Sequence, residues 1–308
     1  MNKSNGADGI SLQAVTTEKQ SVSSIIADIK SLVKFVVLML NVLPVLTGFL
    51  LALYFTDELL IDHLGTLVLV LIGSTFVMAG ALIFNNWYEA DLDKKMKRTE
   101  MRPTVTGNFS MKTVLTLGII ATVLGFAFLL ATTMEATIYA LVGWFVYVVL
   151  YTFWSKRKYT LNTIIGSISG AVTPMIGWGA VTSTFHIVPI MMFAIIFIWQ
   201  VPHTFSIAMR RYDDYKAAGV PMLPVVFGFD MTKRQSVIYI ACLLPLPFFL
   251  TSLGWPFVIF ATILNLAWLA IGFKGFFKKD NLHWANRVFK SSLFYLMLLF
   301  LAMIAVTI

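Results

Sequence analysis

The sequence predicts an all-α fold: a polytopic membrane protein with nine transmembrane helices in a bundle, its N-terminus cytoplasmic and its C-terminus outside. Three observations carry this reading. The 308-residue chain is 58% hydrophobic and only 12% charged, whereas a soluble domain carries roughly 25% charged residues. Apolar runs of about 20 residues recur along the whole length, each able to cross a hydrocarbon core of about 30 Å as a helix, and the period-two alternation of a membrane barrel is absent. Finally, all 23 Lys and Arg residues fall on alternate loops, which sets the orientation by the positive-inside rule.

Residues 1–30 are polar and Ser-rich and lack a hydrophobic core. They read as a mobile tail before a single membrane domain, 31–308. The segment is not a secretory signal, and its acids and lack of Arg argue against a mitochondrial leader, so a bacterial inner membrane is the expected location. The spans follow at about 32–54, 65–87, 111–132, 136–154, 163–181, 187–209, 236–253, 257–275 and 287–308. The shortest break is the Gly254-Trp255-Pro256 turn between the seventh and eighth. The cations lie in the tail and the head of the first span, then in the loops after spans two, four, six and eight. The net charge of +8 is therefore mostly topology, with a contribution to attracting an anionic substrate, and calls for no nucleic-acid partner. The single Cys242 excludes an intrachain disulfide. No Gly-rich nucleotide loop and no zinc spacing occurs.

Two cytoplasmic loops, after spans two and six, are about 23 and 26 residues long, against the usual two to eight in a bundle. The first opens "NNWYEADLDKKMKRTEMRP" (85–103), in which nine of nineteen residues are charged. Asn85, Glu89 and Asp93 are spaced i, i+4, i+8, so a continuing helix sets them on one stripe, with Asp91 pointing elsewhere. Oxygen ligands of this kind suit Mg²⁺, which is commonly held by one or two carboxylates together with substrate phosphates. Lys94, Lys97, Arg98 and Arg102 follow closely and can bind phosphate oxygens. On spacing alone, a solvated helix end explains the charges equally well.

The second loop changes that balance. Gln200 and His203 are i, i+3 near the end of span six. Arg210 lies seven residues beyond His203 on the same face, and Asp213 or Asp214 extends it. Polar residues at membrane depth usually face the bundle interior and mark function, although an interhelical hydrogen bond also accounts for His203. Lys156, Arg157 and Asn162 lie at a third cytoplasmic edge. Gly166 and Gly170 form a G-x-x-x-G step that serves close packing or makes room for a flat ligand. Lys34, His63, His186 and His283 are assigned to no site.

Four stretches together resemble the intramembrane aromatic prenyltransferase (UbiA-type) superfamily, and within it the branch that farnesylates protohaem IX to make haem O. They are "NNWYEADLDKKMKRTEMRP", "WQVPHT" (199–204), "DYKAAGVPMLPVV" (214–226) and "YTFWSKRKYTLNTIIGSISGAVTPMIGW" (151–178). The resemblance covers nearly the whole chain after the tail. It implies two Asp-rich loops that hold a prenyl diphosphate through Mg²⁺, with farnesyl diphosphate as donor and protohaem IX as acceptor and substrate. A quinone-type acceptor, or a non-catalytic haem-binding or transport protein, is the rival reading. The resemblance places Asn85, Glu89 and Asp93 on the first metal motif, Asp214 with Asp213 on the second, and His203 on the family's His. Lys94, Lys97, Arg98, Arg102, Lys156, Arg157, Asn162, Gln200, Arg210 and Lys216 become substrate-binding candidates. For His203, iron ligation, haem orientation and proton transfer all stay open. The expected partners are the lipid bilayer and, further afield, haem A synthase or oxidase assembly proteins. The chain departs from the pattern in three places: Glu89 stands where Asp is usual, Thr204 replaces Phe, and Ala217 and Ala218 stand where the second loop would carry another acid.

Overall fold

The computed structural model describes residues 22–277 and 280–308; residues 1–21 of the tail expected over 1–30, with Lys3 and Lys19, and the loop residues Lys278 and Lys279 lie outside the described residues. Every element among them is helical, without a strand. Eight helical stretches among them are long and apolar enough to cross a membrane.

The polar segment expected to end at residue 30 is helical over its last part. Helix α1, Val22–Leu32, sets Ile25, Ile26, Ile29 and Leu32 on one side, the spacing of an amphipathic helix. It ends at Lys34, whose backbone is left-handed (φ 47°, ψ 55°). Few non-glycine residues adopt that conformation. The chain then turns sharply into α2, Phe35–Thr56. Helix α3, Leu64–Tyr88, packs along α6, Met111–Leu130. Helix α7, Met134–Phe145, continues as a π-helix over Val146–Ser155.

The fifth span differs from expectation. The stretch 163–181 is two short helices, α8, Asn162–Ala171, and α9, Thr173–Gly179. They break at Val172, just ahead of Pro174, which has no N–H to continue the ladder and sits well only in a first helical turn. Helix α10, Ile187–Arg210, follows, with Pro202 inside it.

The two long loops are largely helical. The first contains α4, Ala90–Asp93, and α5, Pro103–Thr106. The second contains α11, Tyr212–Ala217, and the start of α12, Leu223–Cys242. The seventh span therefore starts well before residue 236. A break at Gly228 (φ 77°, ψ 176°), a geometry open mainly to glycine, interrupts α12. A 3₁₀ stretch, Leu246–Leu253, then leads to α13, Trp255–Phe273, and α14, Asn281–Ala305.

Two apolar cores hold the bundle. One joins α2, α3, α7 and α9 around Val45, Phe49 and Ile176, and the other joins α10, α13 and α14 around Met192, Trp268 and Phe300. Between them α10 also packs on α8 and α12. The crossing of α2 and α9 is unusually close. A Cβ on Gly48 would lie 2.1 Å from the Pro174 carbonyl oxygen, and one on Gly177 would lie 1.9 Å from that of Val45. Both obstacles are backbone, so the helices would have to separate. Overpacking of this kind costs about 1–3 kcal/mol. Gly48→Ala should accordingly lower the thermal melting midpoint of the purified protein by several degrees, whereas Gly65→Ala, which meets nothing within 4 Å, should leave it within a degree; equal melting of the two variants would refute this account of the crossing.

Candidate active site

Helix α3 ends at Tyr88, but the helical hydrogen bonds run on: Glu89 N–H donates to the Asn85 carbonyl at 3.0 Å, and Asp93 N–H to the Glu89 carbonyl at 2.8 Å. The stripe expected from the spacing is therefore kept. Asn85, Glu89 and Asp93 are 0%, 3% and 2% exposed, which excludes a merely solvated helix end. Burial of two carboxylates is costly unless each is paired, and each is. Lys156 Nζ lies 2.5 Å from Glu89 Oε2, and Arg102 Nη1 lies 2.6 Å from Asp93 Oδ2. Lys34 Nζ donates to Asn85 Oδ1 at 2.5 Å, and the amide nitrogen of Asn85 donates to Thr152 Oγ1 at 3.1 Å. The neighbouring Asn86 donates to the Leu32 carbonyl at 2.5 Å, which ties α1 to the same corner.

Three cations thus reach three residues of one stripe from three separate places in the chain. Burial and the nearby Arg102 hold the Lys34 ammonium well below its usual pKa. Burial opposes the charge of Lys156 as well, but Glu89, Tyr151 and Tyr215 outweigh it and raise its pKa. Asp91 points away, as expected. It forms a two-point pair with Arg157 at 2.7 and 2.8 Å, and the Arg157 hydrogen bond draws its carboxyl below the usual range. Arg157 also donates to the Tyr88 carbonyl at 2.8 Å and lies over the Tyr88 ring, so it fastens the end of α3 to the loop before α8.

One carboxylate oxygen in this cluster is left bare. Glu89 Oε1 is buried and accepts no hydrogen bond among the described residues. An ionised oxygen in that position fits a hard cation, and among side-chain oxygens a carboxylate pair is the set Mg²⁺ prefers. Among the described residues no group of three His, Cys, Asp or Glu side chains could hold a metal by itself. The other ligands would have to come from Asn85, from water and from substrate.

The second acidic loop meets the first at one point: Asp214 Oδ1 accepts from the Lys97 backbone N–H at 3.2 Å. Asp213 is placed elsewhere. With Arg210 it lines a separate cleft of about 680 Å³ between α10, α12 and the start of α14. Arg210 lies over the Phe289 ring at 4.2 Å, and Lys216 lies over Tyr212 at 5.6 Å. The side chains of Lys94, Lys97 and Arg98 are exposed beside the cluster. Asn162 is fully buried at the head of α8, and its amide nitrogen has no partner among the described residues.

Behind the charged cluster lies a cavity of about 1110 Å³, open on one side, between α2, the π-helix, α8, α10 and α14. Gln200, His203 and Thr204 line one wall, and Gly166 and Gly170 another. The G-x-x-x-G step does make room, but for a neighbour: a Cβ on Gly170 would lie 1.8 Å from Gln200 Nε2. An adjoining and more apolar cavity of about 650 Å³ runs inward past Val77, Met78, Ala140 and Trp144. Tyr147 lines both spaces. Tyr151 lines the larger one, and the Lys156 ammonium sits 5.4 Å from its ring centroid. The charged cluster and the cavity thus share a wall.

Sequence reasoning missed Lys34, Tyr147, Tyr151, Thr152 and Ser292. Lys34 carried a signal, as a lone cation between a polar segment and an apolar run. Tyr151 and Thr152 open the quoted stretch 151–178 without being singled out in it, and Tyr147 and Ser292 lie in plain apolar or Ser-containing stretches.

Residues 41–304 match the UbiA prenyltransferase family. Among relatives, the protoheme IX farnesyltransferase of Oceanobacillus iheyensis is 53% identical over 291 residues, covering 94% of this chain and 93% of its own. That of a Geobacillus species is 51% identical over 289 residues, covering 94% of each. A UbiA homolog from Archaeoglobus fulgidus, solved bound to GPP and Mg²⁺, superposes with a TM-score of 0.73 at 19% identity, covering 91% of this chain and 99% of that one.

Proposed function

Because the chain belongs to the UbiA prenyltransferase family, we propose that it transfers the farnesyl group of farnesyl diphosphate to a vinyl group of protohaem IX, with addition of water, and so makes haem O. The relatives at about 50% identity over nearly the whole chain support this acceptor. The structural observation that carries the reading is the shared wall. A buried carboxylate and ammonium cluster opens through Tyr151 onto an apolar cavity bearing Gln200 and His203. A donor with a charged head and a hydrocarbon tail needs that junction.

Glu89, Asp93 and Asn85 would hold Mg²⁺, with Asp214 bringing the second loop alongside. When bound there, Mg²⁺ neutralises charge on the diphosphate as it leaves. Lys34, Lys156 and Arg102 stand within reach of the same oxygens and supply positive charge to the phosphates. Lys94, Lys97 and Arg98 line the exposed approach. The donor's C–O bond breaks and its electron pair leaves with the diphosphate. The terminal vinyl carbon attacks the allylic carbon, and positive charge moves to the carbon beside the porphyrin ring. Water adds there and loses a proton, so the step needs no oxidant. The apolar walls keep bulk water from the cation until the vinyl group meets it. In this reading the chain crosses a bacterial inner membrane nine times, with α8 and α9 together forming the fifth crossing, the N-terminus inside and the C-terminus outside. The product then passes within the bilayer to haem A synthase or to oxidase assembly.

Purified protein given protohaem IX, farnesyl diphosphate and Mg²⁺ in ¹⁸O-labelled water without oxygen should yield a farnesylated haem whose new hydroxyl carries the label. A product lacking the label, or one formed only under oxygen, would refute the water step; a quinone farnesylated in preference to haem would replace the acceptor. Glu89→Gln and Asp93→Asn should each lower turnover about 100-fold or more, the scale of losing a charge-stabilising group, while haem binding persists. Asp91→Asn should stay within about twofold, since its partner Arg157 lies outside the cluster. A reporter fused after Ile308 should be periplasmic and one between Lys156 and Tyr159 cytoplasmic; a cytoplasmic C-terminus would exclude nine crossings.

A further inference from the structure

Trp199 and His203 lie one turn apart on α10, and both reach the same residue of α14. The Trp199 indole N–H donates to the Ser292 carbonyl at 2.9 Å, and His203 Nδ1 lies 2.7 Å from the Ser292 hydroxyl oxygen. The imidazole also stacks on two rings: Trp199 at 4.6 Å and 18°, and Phe289 at 5.2 Å and 28°. Position and plane of the ring are therefore fixed from three sides.

The Ser292 hydroxyl has a single proton, and the Phe289 carbonyl lies 2.7 Å away to receive it. A hydroxyl that donates there still has lone pairs with which to accept. The short contact to His203 is then satisfied by a proton on Nδ1, and the neutral ring carries its lone pair on Nε2. That nitrogen has no protein partner among the described residues, and His203 lines the 1110 Å³ cavity. Metal-binding histidines commonly have this arrangement: the second ring nitrogen donates to a fixed acceptor, which sets the tautomer and raises the basicity of the ligating nitrogen.

We propose that Ser292 is a positioning residue that locks His203 in the Nδ1-protonated form, so that Nε2 becomes an axial ligand to the iron of the haem acceptor. The proposal rests on the acceptor assigned above and goes further, because it selects iron ligation for His203 over proton transfer. Ligation from a rigid ring sets the depth and tilt of the porphyrin plane but leaves rotation about the iron–nitrogen bond free. Contacts at the porphyrin edge must set that rotation. Gln200, one turn from His203, lines the same cavity with its amide packed against Gly170 and without a hydrogen-bond partner among the described residues. It is placed to make such a contact.

The test uses the full chain in lipid nanodiscs with one equivalent of protohaem IX. Resonance Raman spectra of the ferrous complex are recorded for wild type, His203→Gly with and without added imidazole, Ser292→Ala and Ser292→Thr. Wild type should show an iron–imidazole stretch. His203→Gly should lose it, and free imidazole should restore it. Ser292→Ala should shift the stretch to lower frequency and reduce turnover by about 10–100-fold, the usual effect of losing such a support. Ser292→Thr, which keeps the hydroxyl, should recover both. An unchanged stretch in His203→Gly, or a wild-type stretch and turnover in Ser292→Ala, would overturn the proposal. Failure of wild type to bind haem at all would instead overturn the acceptor assignment on which it rests. The imidazole arm does not require Ser292→Ala to fold.

Discussion

The rest of the structure depends on the pairing of Glu89 and Asp93 with Lys156 and Arg102. All four charged groups are at least 88% shielded from solvent. Removing one partner of such a pair leaves an uncompensated buried charge, at a cost of about 3–5 kcal/mol. Two of the three cations that reach this stripe come from distant parts of the chain. Lys156 ends the π-helix, Arg102 precedes α5, and Lys34, which joins them through Asn85, separates α1 from α2. Asp93 finds Arg102 nine residues on, but Glu89 and Asn85 take their partners from 67 and 51 residues away. The start of α2 and the end of the π-helix therefore converge on the end of α3. An arrangement of well-packed apolar residues would hold them at least as firmly, so the charge is better understood as a requirement of the ligand than of the fold.

The same constraint separates the site into two media. Charge stays at the membrane edge, where Lys94, Lys97 and Arg98 are exposed and the bare Glu89 oxygen is buried. Below it the walls are mostly apolar, interspersed with hydroxyls and with the polar groups of Gln200 and His203. A diphosphate leaving group and an allylic cation have opposite needs, and one environment cannot meet both. The boundary runs through Tyr151. Its ring faces the cavity, and the Lys156 ammonium lies against it. An ammonium over an aromatic face is attracted by the ring quadrupole, and more strongly where water is excluded.

How much of this was legible in the sequence follows from how each feature is encoded. The carboxylate stripe was legible because helical periodicity places Asn85, Glu89 and Asp93 together wherever the helix continues. Most spans were legible because bilayer thickness sets their length. The split of the stretch expected as a fifth span was signalled by Pro174, but an apolar run conceals where a helix breaks. The separation of Arg210 and Asp213 from His203 was not visible, because it depends on Phe289 of α14 standing against both His203 and Arg210. Ser292 illustrates the general limit. Its role comes from a contact across 89 residues of chain, and no local pattern marks a serine in an apolar helix as the partner of a particular histidine.

The π-helix at Val146–Ser155 joins the charged cluster to the two cavities. Its i→i+5 bonding is rarer and locally less favourable than the α-helical form, and where it occurs it frequently marks a functional site. Here the Lys156 N–H donates to the Tyr151 carbonyl at 2.9 Å, five residues back. The wider turn gives one segment four tasks at once. Tyr147 faces both cavities, Tyr151 forms the wall beneath Lys156, Thr152 accepts from Asn85, and Lys156 reaches Glu89. Residues 147, 151, 152 and 156 follow a rhythm of four and five, which an α-helix would spread around its circumference. The less favourable backbone is held in place by the pairing of Lys156 with Glu89 and by the contact of Lys156 with the Tyr151 ring, so the electrostatic cluster that the ligand requires also sets the local shape of the helix that serves it.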